Sequence, residues 1–435
     1  MPHLFKVTAT LVCIVASTSC QATATDDSNL IKVGVALPLS GTFADNGERH
    51  RAAIQMAFED LEAAGKVKGK LIRAVVIDCG DKMATAQERL DAALGPWDAP
   101  TQRVRAIISS TTACHEASAA YALQQKTPHL EVSSGSDDDE LSEYVVKAPA
   151  TLDSSYDLQI RGLCRAEATM TQSFLVSRPD MRKIAVLRGG HPHDLTHTST
   201  LRRELGTSSF ASQGGILAND NDIVVPNDGP FSEGIQAVIA LNPDTLYFHL
   251  NGDTRNLNFL AELKRLNFQG KIVTCGMIRK PIVLDPVSPG IIDYLGGKLF
   301  FMMRGPVGGA HLDGFKANYL AYYGKDADTF APSAYDAAML VGLALQAEAG
   351  SDGASLRDAI LAVASRGETA SYGEVVKALD LIKQGTDVNY DGASGTLDFH
   401  QDLTVPSKYY IDQVKYDATT QKGSFSSLPS PVVLK

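Results

Sequence analysis

A strand-helix alternation, written twice in succession, constrains this chain more than any other feature. Residues 31–37 (IKVGVAL) read as a buried strand, and 47–64 follow with Ile54, Phe58 and Leu61 at helical spacing. The unit repeats with 71–77 as strand, 83–94 as helix, 104–108 as strand, 114–124 as helix and 129–132 as strand. Strands alternating with helices of this length imply a parallel sheet covered on both faces. A second run reads 154–176 as helix, 184–187 as strand, 195–205 as helix and 223–225 as strand. Segments 231–240, 245–250, 256–266 and 271–274 continue it as helix, strand, helix and strand, so two α/β lobes are expected. Beyond a strand at 299–303 the chain turns mostly helical, over 312–323, 333–349, 355–364 and 373–383. Short strands at 396–399 and 409–414 close it, and the Ser/Pro-rich stretch 424–431 reads as a loosely packed tail.

A length of 435 residues accommodates two such lobes. The formal net charge of -10 lacks the basic footprint of a phosphate-binding surface, which excludes nucleic acid as the expected partner. Residues 1–24 read as an export signal: Lys6 supplies the positive end, 7–16 a short apolar run, and small residues follow. No other stretch approaches the roughly 20 apolar residues of a spanning helix. Two cleavage readings stay open. Ser17-Thr18-Ser19-Cys20 resembles a lipoprotein box that would lipidate Cys20, whereas Ala22-Thr23-Ala24 fits ordinary signal peptidase and a soluble periplasmic protein. With Cys13 removed and Cys20 lipidated, Cys79, Cys114, Cys164 and Cys275 remain in an oxidising compartment. Four cysteines allow three pairings. Structural bridges are favoured over a metal site, since no two of them stand in C-x-x-C spacing and no histidine clusters with them.

In open parallel sheets ligands bind beyond the carboxyl ends of the strands. The loops there are rich in small hydroxyls: Ser40-Gly41-Thr42, Ser109-Ser110-Thr111-Thr112 and Ser133-Ser134-Gly135-Ser136-Asp137. Hydroxyls and open backbone N–H groups at helix N-termini suit an anionic or zwitterionic ligand, although Ser and Thr also serve as ordinary caps. No nucleophile elbow, phosphate-binding P-loop, H-E-x-x-H or dinucleotide fingerprint is present, so no enzyme and no cofactor are expected. His191-Pro192-His193-Asp194 with His197 raises a metal reading, because His193 and His197 are four apart; a helix-start loop facing the cleft competes with it, and no metal site is assigned. The run Asp137-Asp138-Asp139-Glu140 reads as a solvated helix start ahead of a cation site.

Over about residues 30–415 the chain resembles the type 1 periplasmic binding proteins, specifically the branched-chain amino acid receptors of ABC importers. The segments that carry the likeness are 31–47 with Pro38-Leu39-Ser40-Gly41, Leu152-Asp153-Ser154-Ser155, 319–323 followed by Tyr335-Asp336-Ala337, and Asn389-Tyr390-Asp391-Gly392-Ala393-Ser394-Gly395. The resemblance implies an α/β fold of two Rossmann-like lobes with parallel sheets joined by three crossovers, here near 148–152, 303–306 and 395–400. Lobe 1 would then comprise 29–150 and 304–396, lobe 2 would comprise 151–303 and 397–420, and 421–435 would be the tail. It also implies a Cys79–Cys114 disulfide, which leaves Cys164 and Cys275 together in the second lobe.

In such relatives the first lobe holds the amino acid through positions matching His115, Ser136 and Asp137. The second lobe supplies a tyrosine where this chain has His193, another aromatic at Asn251, and an amino-binding acid at Met277. A buried ammonium without its carboxylate is costly unless Asp137 supplies one from the first lobe. A small amino-acid-like or polar organic solute is therefore expected, with a branched-chain amino acid as the default and a more polar carboxylate or amide as the better fit. The expected ligand set is Ser40, Asn46, His115, Ser136 and Asp137 from one lobe, met on closure by His193, Asn251, Met277 and Tyr335. The implied partners are a small-molecule ligand, an ABC permease in the inner membrane and, if Cys20 is lipidated, the membrane itself. The implied location is the periplasm or cell envelope. A ligand-sensing protein on the same fold without a transporter is the alternative.

Overall fold

The computed structural model describes residues 29–80, 82–96, 103–133, 154–160, 164–206, 208–226, 229–276, 279, 281–285, 290–401, 403–428 and 432–434. The first run yields strands β1 (Leu30–Leu37), β2 (Leu71–Asp78), β3 (Ile107–Ser109), β4 (His129–Glu131) and β5 (Asp157–Gln159). They form one parallel sheet in the order β2-β1-β3-β4-β5. Helices α1 (Ala44–Ala63), α2 (Met83–Leu94) and α3 (Thr112–Gln125) are the crossovers that a parallel sheet needs. Val33 to Leu37 are buried as a continuous apolar run, the pattern of a strand covered on both faces.

The second run begins with α4 (Cys164–Val176), β6 (Lys183–Arg188), α5 (Pro192–Leu205), α6 (Ser208–Ser212), β7 (Ile216–Leu217) and β8 (Ile223–Val224). It continues with α7 (Ser232–Ala240), β9 (Thr245–His249), α8 (Asp253–Arg265), β10 (Lys271–Cys275), α9 (Ile292–Leu295) and β11 (Leu299–Gly305). After this the chain returns to the first lobe as α10 (Ala310–Tyr323), α11 (Ala331–Ala347), α12 (Gly353–Val363), β12 (Glu368–Ser371), α13 (Val375–Lys383) and β13 (Val388–Asp391). Strands β14 (Ser407–Asp417), β15 (Lys422–Ser427) and β16 (Val432–Leu434) then join the second sheet, ordered β15-β14-β11-β10-β9-β6-β7 with β8 on β6 and β16 on β14. The β6 to β11 pairings are parallel and β14 runs antiparallel to β11. This is a mixed α/β architecture of two lobes, the fold class the sequence implied.

The first core is centred on α11, which is buried all round from Ala331 to Leu345, as its near-uniform apolar sequence requires. It lies so close to α1 that a Cβ at Gly342 would collide with Leu61. Separate cores fill the two faces of the second sheet.

Four expectations are corrected. Residues 154–176 are not one helix: a 3-10 turn (Ser154–Tyr156) and β5 precede α4, so the first lobe runs to residue 160 instead of 150. The third passage between lobes falls after Val405 and not at 395–400, because Leu403 O and Val405 N still bond to Gln159 of β5. The stretch 396–399 makes only an isolated bridge, Thr396 to Asp391. The 421–435 tail instead contributes the polar edge strand β15 and the apolar strand β16, both paired to β14. Residues 148–152, where the first crossover was expected, lie outside the described residues, and β5, which follows them, pairs in the first sheet. Among the described residues no helix is long and apolar enough to cross a membrane.

Candidate functional site

A cavity of about 310 Å³ lies between the lobes, at the carboxyl ends of both parallel sheets. The first lobe lines it with Thr42, Asn46 and His50 after β1, with Thr111 and Thr112 at the start of α3, and with Asp328 and Phe330 ahead of α11. The second lobe answers with Glu167 on α4, His193 and His197 on α5, Asn251 after β9, Cys275 at the end of β10, and Arg304 on β11.

Thr111 is held at φ 72° and its hydroxyl makes no capping bond to α3. Its backbone N–H donates to Ser133 Oγ (3.1 Å). A non-glycine residue in this region is strained, and such strain concentrates at ligand sites. The capping reading of these hydroxyls therefore fails at Thr111, and the N-terminal end of α3 points its partial positive charge into the cavity.

Asp328 organises the first-lobe wall. Its carboxylate accepts Asn46 Nδ2 (2.9 Å) and the N–H groups of Phe330 (3.1 Å) and Ala331 (2.8 Å), and lies 3.2 Å from His50 Nε2. Burial opposes the charge, but His50, Asn46 and the Ala331 N–H outweigh it and hold the carboxyl down at about 2.

The second-lobe wall is a histidine group. His191 caps α5: its Nδ1 accepts from His193 N (3.2 Å), and Asp194 accepts from His191 N (3.3 Å). His193 and His197, four residues apart, fall on one face of α5 with ring centroids 4.5 Å apart. His249, at the end of β9, stacks on His197 at 4.1 Å, and its Nδ1 bonds to the buried Asp194 (3.0 Å). Burial alone would lower the His249 pKa, yet Cys275 and Asp194 beside it raise it. Thr112 Oγ1 reaches 3.2 Å to His193 Nδ1, linking the two lobes across the cavity.

Of the expected ligand residues, Asn46, His193 and Asn251 line the cavity. Ser40 does not: Arg89 Nη1 donates to its Oγ (3.0 Å), and its N–H is taken by Asp78. His115 is buried and bonded to Asp157 (2.9 Å), which also takes His129 Nδ1 (2.9 Å). Without β5 in the sequence reading, His115 had no visible partner to pull it inward. Tyr335 is a core residue whose hydroxyl donates to Asp60 (2.6 Å), because α11 has no cleft-facing side at that turn. Ser136, Asp137, Met277 and Cys20 lie outside the described residues. Cys79 and Cys114 are joined in a disulfide with Cα atoms 5.4 Å apart, fixing the end of β2 to α3. Cys275 is instead a free buried thiol, so the bridge expected for it is absent; β10 carries it to the cavity wall. Glu167, His249, Arg304 and Asp328 were missed. Only the His193/His197 spacing gave a signal.

The structure thus presents a cleft between two α/β lobes, walled by polar groups from both. The chain belongs to the periplasmic binding protein family, whose profile matches residues 30–421. Similar solved structures include an ABC transporter solute-binding protein from Rhodopseudomonas palustris BisB5 in complex with 3,4-dihydroxybenzoic acid, at 16% identity and TM-score 0.66, covering 93% of this chain and 98% of that one. A leucine-binding protein from Thermotoga maritima MSB8 matches at 16% identity and TM-score 0.66, with 91% and 97% covered. A branched-chain amino acid transporter substrate-binding protein from Streptococcus pneumoniae, in complex with isoleucine, matches at 14% and 0.64, with 92% and 99% covered. These likenesses establish the type 1 periplasmic binding protein fold, and the family is one of solute-binding proteins, not enzymes. No curated protein sequence matches the chain significantly.

Proposed function

We propose that this chain is the extracytoplasmic receptor of an ABC importer, closing its lobes around a small polar organic solute and delivering it to an inner-membrane permease. The observation that carries the reading is the two-sided cleft bridged by Thr112 and His193. Hinge closure is favoured when contacts from both lobes are made to one ligand. The solute is a carboxylate or amide and not leucine, isoleucine or valine. The open start of α3 and Arg304 suit a carboxylate, while Asn46, His193 and Asn251 offer hydrogen bonds in place of apolar faces.

The test is calorimetry on tag-free protein with the three branched-chain amino acids, small polar acids and amides, and aromatic acids of the kind bound by the R. palustris relative. Micromolar binding of a polar acid or amide, with a smaller radius of gyration in solution scattering, supports the reading. Micromolar or tighter leucine binding that His193→Ala leaves unchanged overturns the choice of solute. A protein that binds solute but has no adjacent permease gene would be the sensor alternative.

A further inference from the structure

We propose that the second-lobe wall is a transition-metal site, in which His193, His197 and His249 bind a divalent ion of the zinc class, with Glu167 or Cys275 as fourth ligand. The site stands independently of the transport reading.

The ligand atoms of the three imidazoles all lie within 4.8 Å of one another. Zinc-nitrogen bonds of about 2.1 Å put tetrahedral ligands roughly 3.4 Å apart, so the rings need to draw in by about an ångström. His197 and His249 stack face to face, 15° between their planes, so converging both on one ion requires the His197 ring to turn.

Three features distinguish this group from a chance cluster. Asp194 fixes His249 through Nδ1, the carboxylate-histidine arrangement that orients an imidazole and leaves Nε2 for a metal. That Nε2 is buried with no nitrogen or oxygen partner. Finally, Glu167 and Cys275 add an anionic oxygen and a soft sulfur at the same wall; Glu167 Oε1 is 3.9 Å from His197 Nδ1, and both residues line the cavity. Imidazole with thiolate or carboxylate suits zinc, and disfavours calcium and magnesium. The cavity gives the ion a route in.

The second histidine group, His115 and His129 with Asp157, is a closed hydrogen-bonded network: Asp157 takes both rings, and His129 Nε2 is bonded to Ser109 (2.8 Å). It serves as the internal contrast.

The experiment uses tag-free full-length protein, stripped with chelator and titrated with Zn2+ alone, with bound metal counted after dialysis. One equivalent bound at micromolar affinity or tighter is expected, weakened at least tenfold in His193→Ala and in His197→Ala. His311→Ala, at a half-buried histidine on α10 beside Asp391, should bind as wild type. His249 is buried and its replacement endangers folding, so a second readout is cobalt: Co2+ should give the intense visible absorption of a four-coordinate site, lost in His193→Ala. Failure to retain Zn2+, or retention unchanged in the His193→Ala/His197→Ala double variant, overturns the proposal. Solute calorimetry is unaffected by that outcome, so the two readings fail separately.

Discussion

Thr112 of the first lobe and His193 of the second meet across the cleft, Oγ1 to Nδ1 at 3.2 Å. A direct contact between the lobes stabilises the closed arrangement in addition to whatever a ligand contributes, and lowers the cost a ligand must overcome. A typical hydrogen bond contributes about 0.5–1.5 kcal/mol. Thr112→Val should therefore increase the radius of gyration of the ligand-free protein in solution scattering and weaken solute binding about threefold to tenfold. An unchanged scattering profile would show that the lobes are held by other contacts.

Asp157 is the hub of a fully buried network with His115 and His129. Burial acts against its charge, but the two histidines hold its carboxyl far below the usual carboxylate range. Removing one member of such a network leaves the others uncompensated, at a cost of about 3–5 kcal/mol. Asp157→Ala should lower the urea midpoint accordingly. A carboxyl whose pKa is depressed by folding adds stability that is fully present above the unfolded value, near 3.9, and is lost as pH falls below it. Urea midpoints from pH 7 to 3 should fall more steeply for wild type than for Asp157→Asn. Parallel curves would mean that Asp157 does not drive acid unfolding.

The Cys79–Cys114 bridge closes a loop with a sequence separation of 35. On the chain-entropy account this stabilises by about 3–4 kcal/mol. The Cys79→Ala/Cys114→Ala variant should lose an amount of that order. In non-reducing peptide maps of denatured protein, Cys275 should take up alkylating reagent without prior reduction, being free. A Cys79 thiol that alkylates in native protein would contradict the bridge.

How far the fold was legible follows from what each segment shows locally. The alternation of apolar strands and amphipathic helices is written in periodicity, so both sheets and the order of most elements could be read. Strand β5 is three residues, Asp-Leu-Gln, two of them polar, and its identity comes only from pairing with β4. Strand β15, Lys-Gly-Ser-Phe-Ser-Ser, resembles a tail because it is polar, as edge strands are, and becomes a strand only through its pairing with β14 across a short turn. The site was read less well for the same reason. His193 and His197 advertise themselves by spacing, but His249 ends an apolar strand and finds Asp194 fifty-five positions away. Asp328 and Arg304 become cleft residues only once both lobes are folded.

The expected export signal, residues 1–24 with Cys20, lies outside the described structure. If Cys20 is the lipidated residue, Cys20→Ala should move the protein from the membrane fraction to the soluble fraction. Identical partitioning of both forms as soluble protein would favour cleavage at Ala22-Thr23-Ala24.

The segment from Asn389 to Gly395, part of the sequence likeness to the family, is explained by one carboxylate. Asp336, buried on α11, accepts the N–H groups of Ala393 (2.8 Å) and Ser394 (2.7 Å) and the Ser394 hydroxyl (2.6 Å). This pins the turn that leads the chain toward its last passage between lobes. Gly392 passes so close that a Cβ there would collide with the same carboxylate. Gly392→Ala should thus cost the 1–3 kcal/mol typical of overpacking, or about 3 kcal/mol or more if the carboxylate is driven off its donors. The attribution is checked by a double-mutant cycle in urea. In an Asp336→Ala background the collision is gone, so Gly392→Ala should cost markedly less, with coupling of at least about 0.5 kcal/mol. Additive costs would place the strain of the alanine elsewhere in the turn.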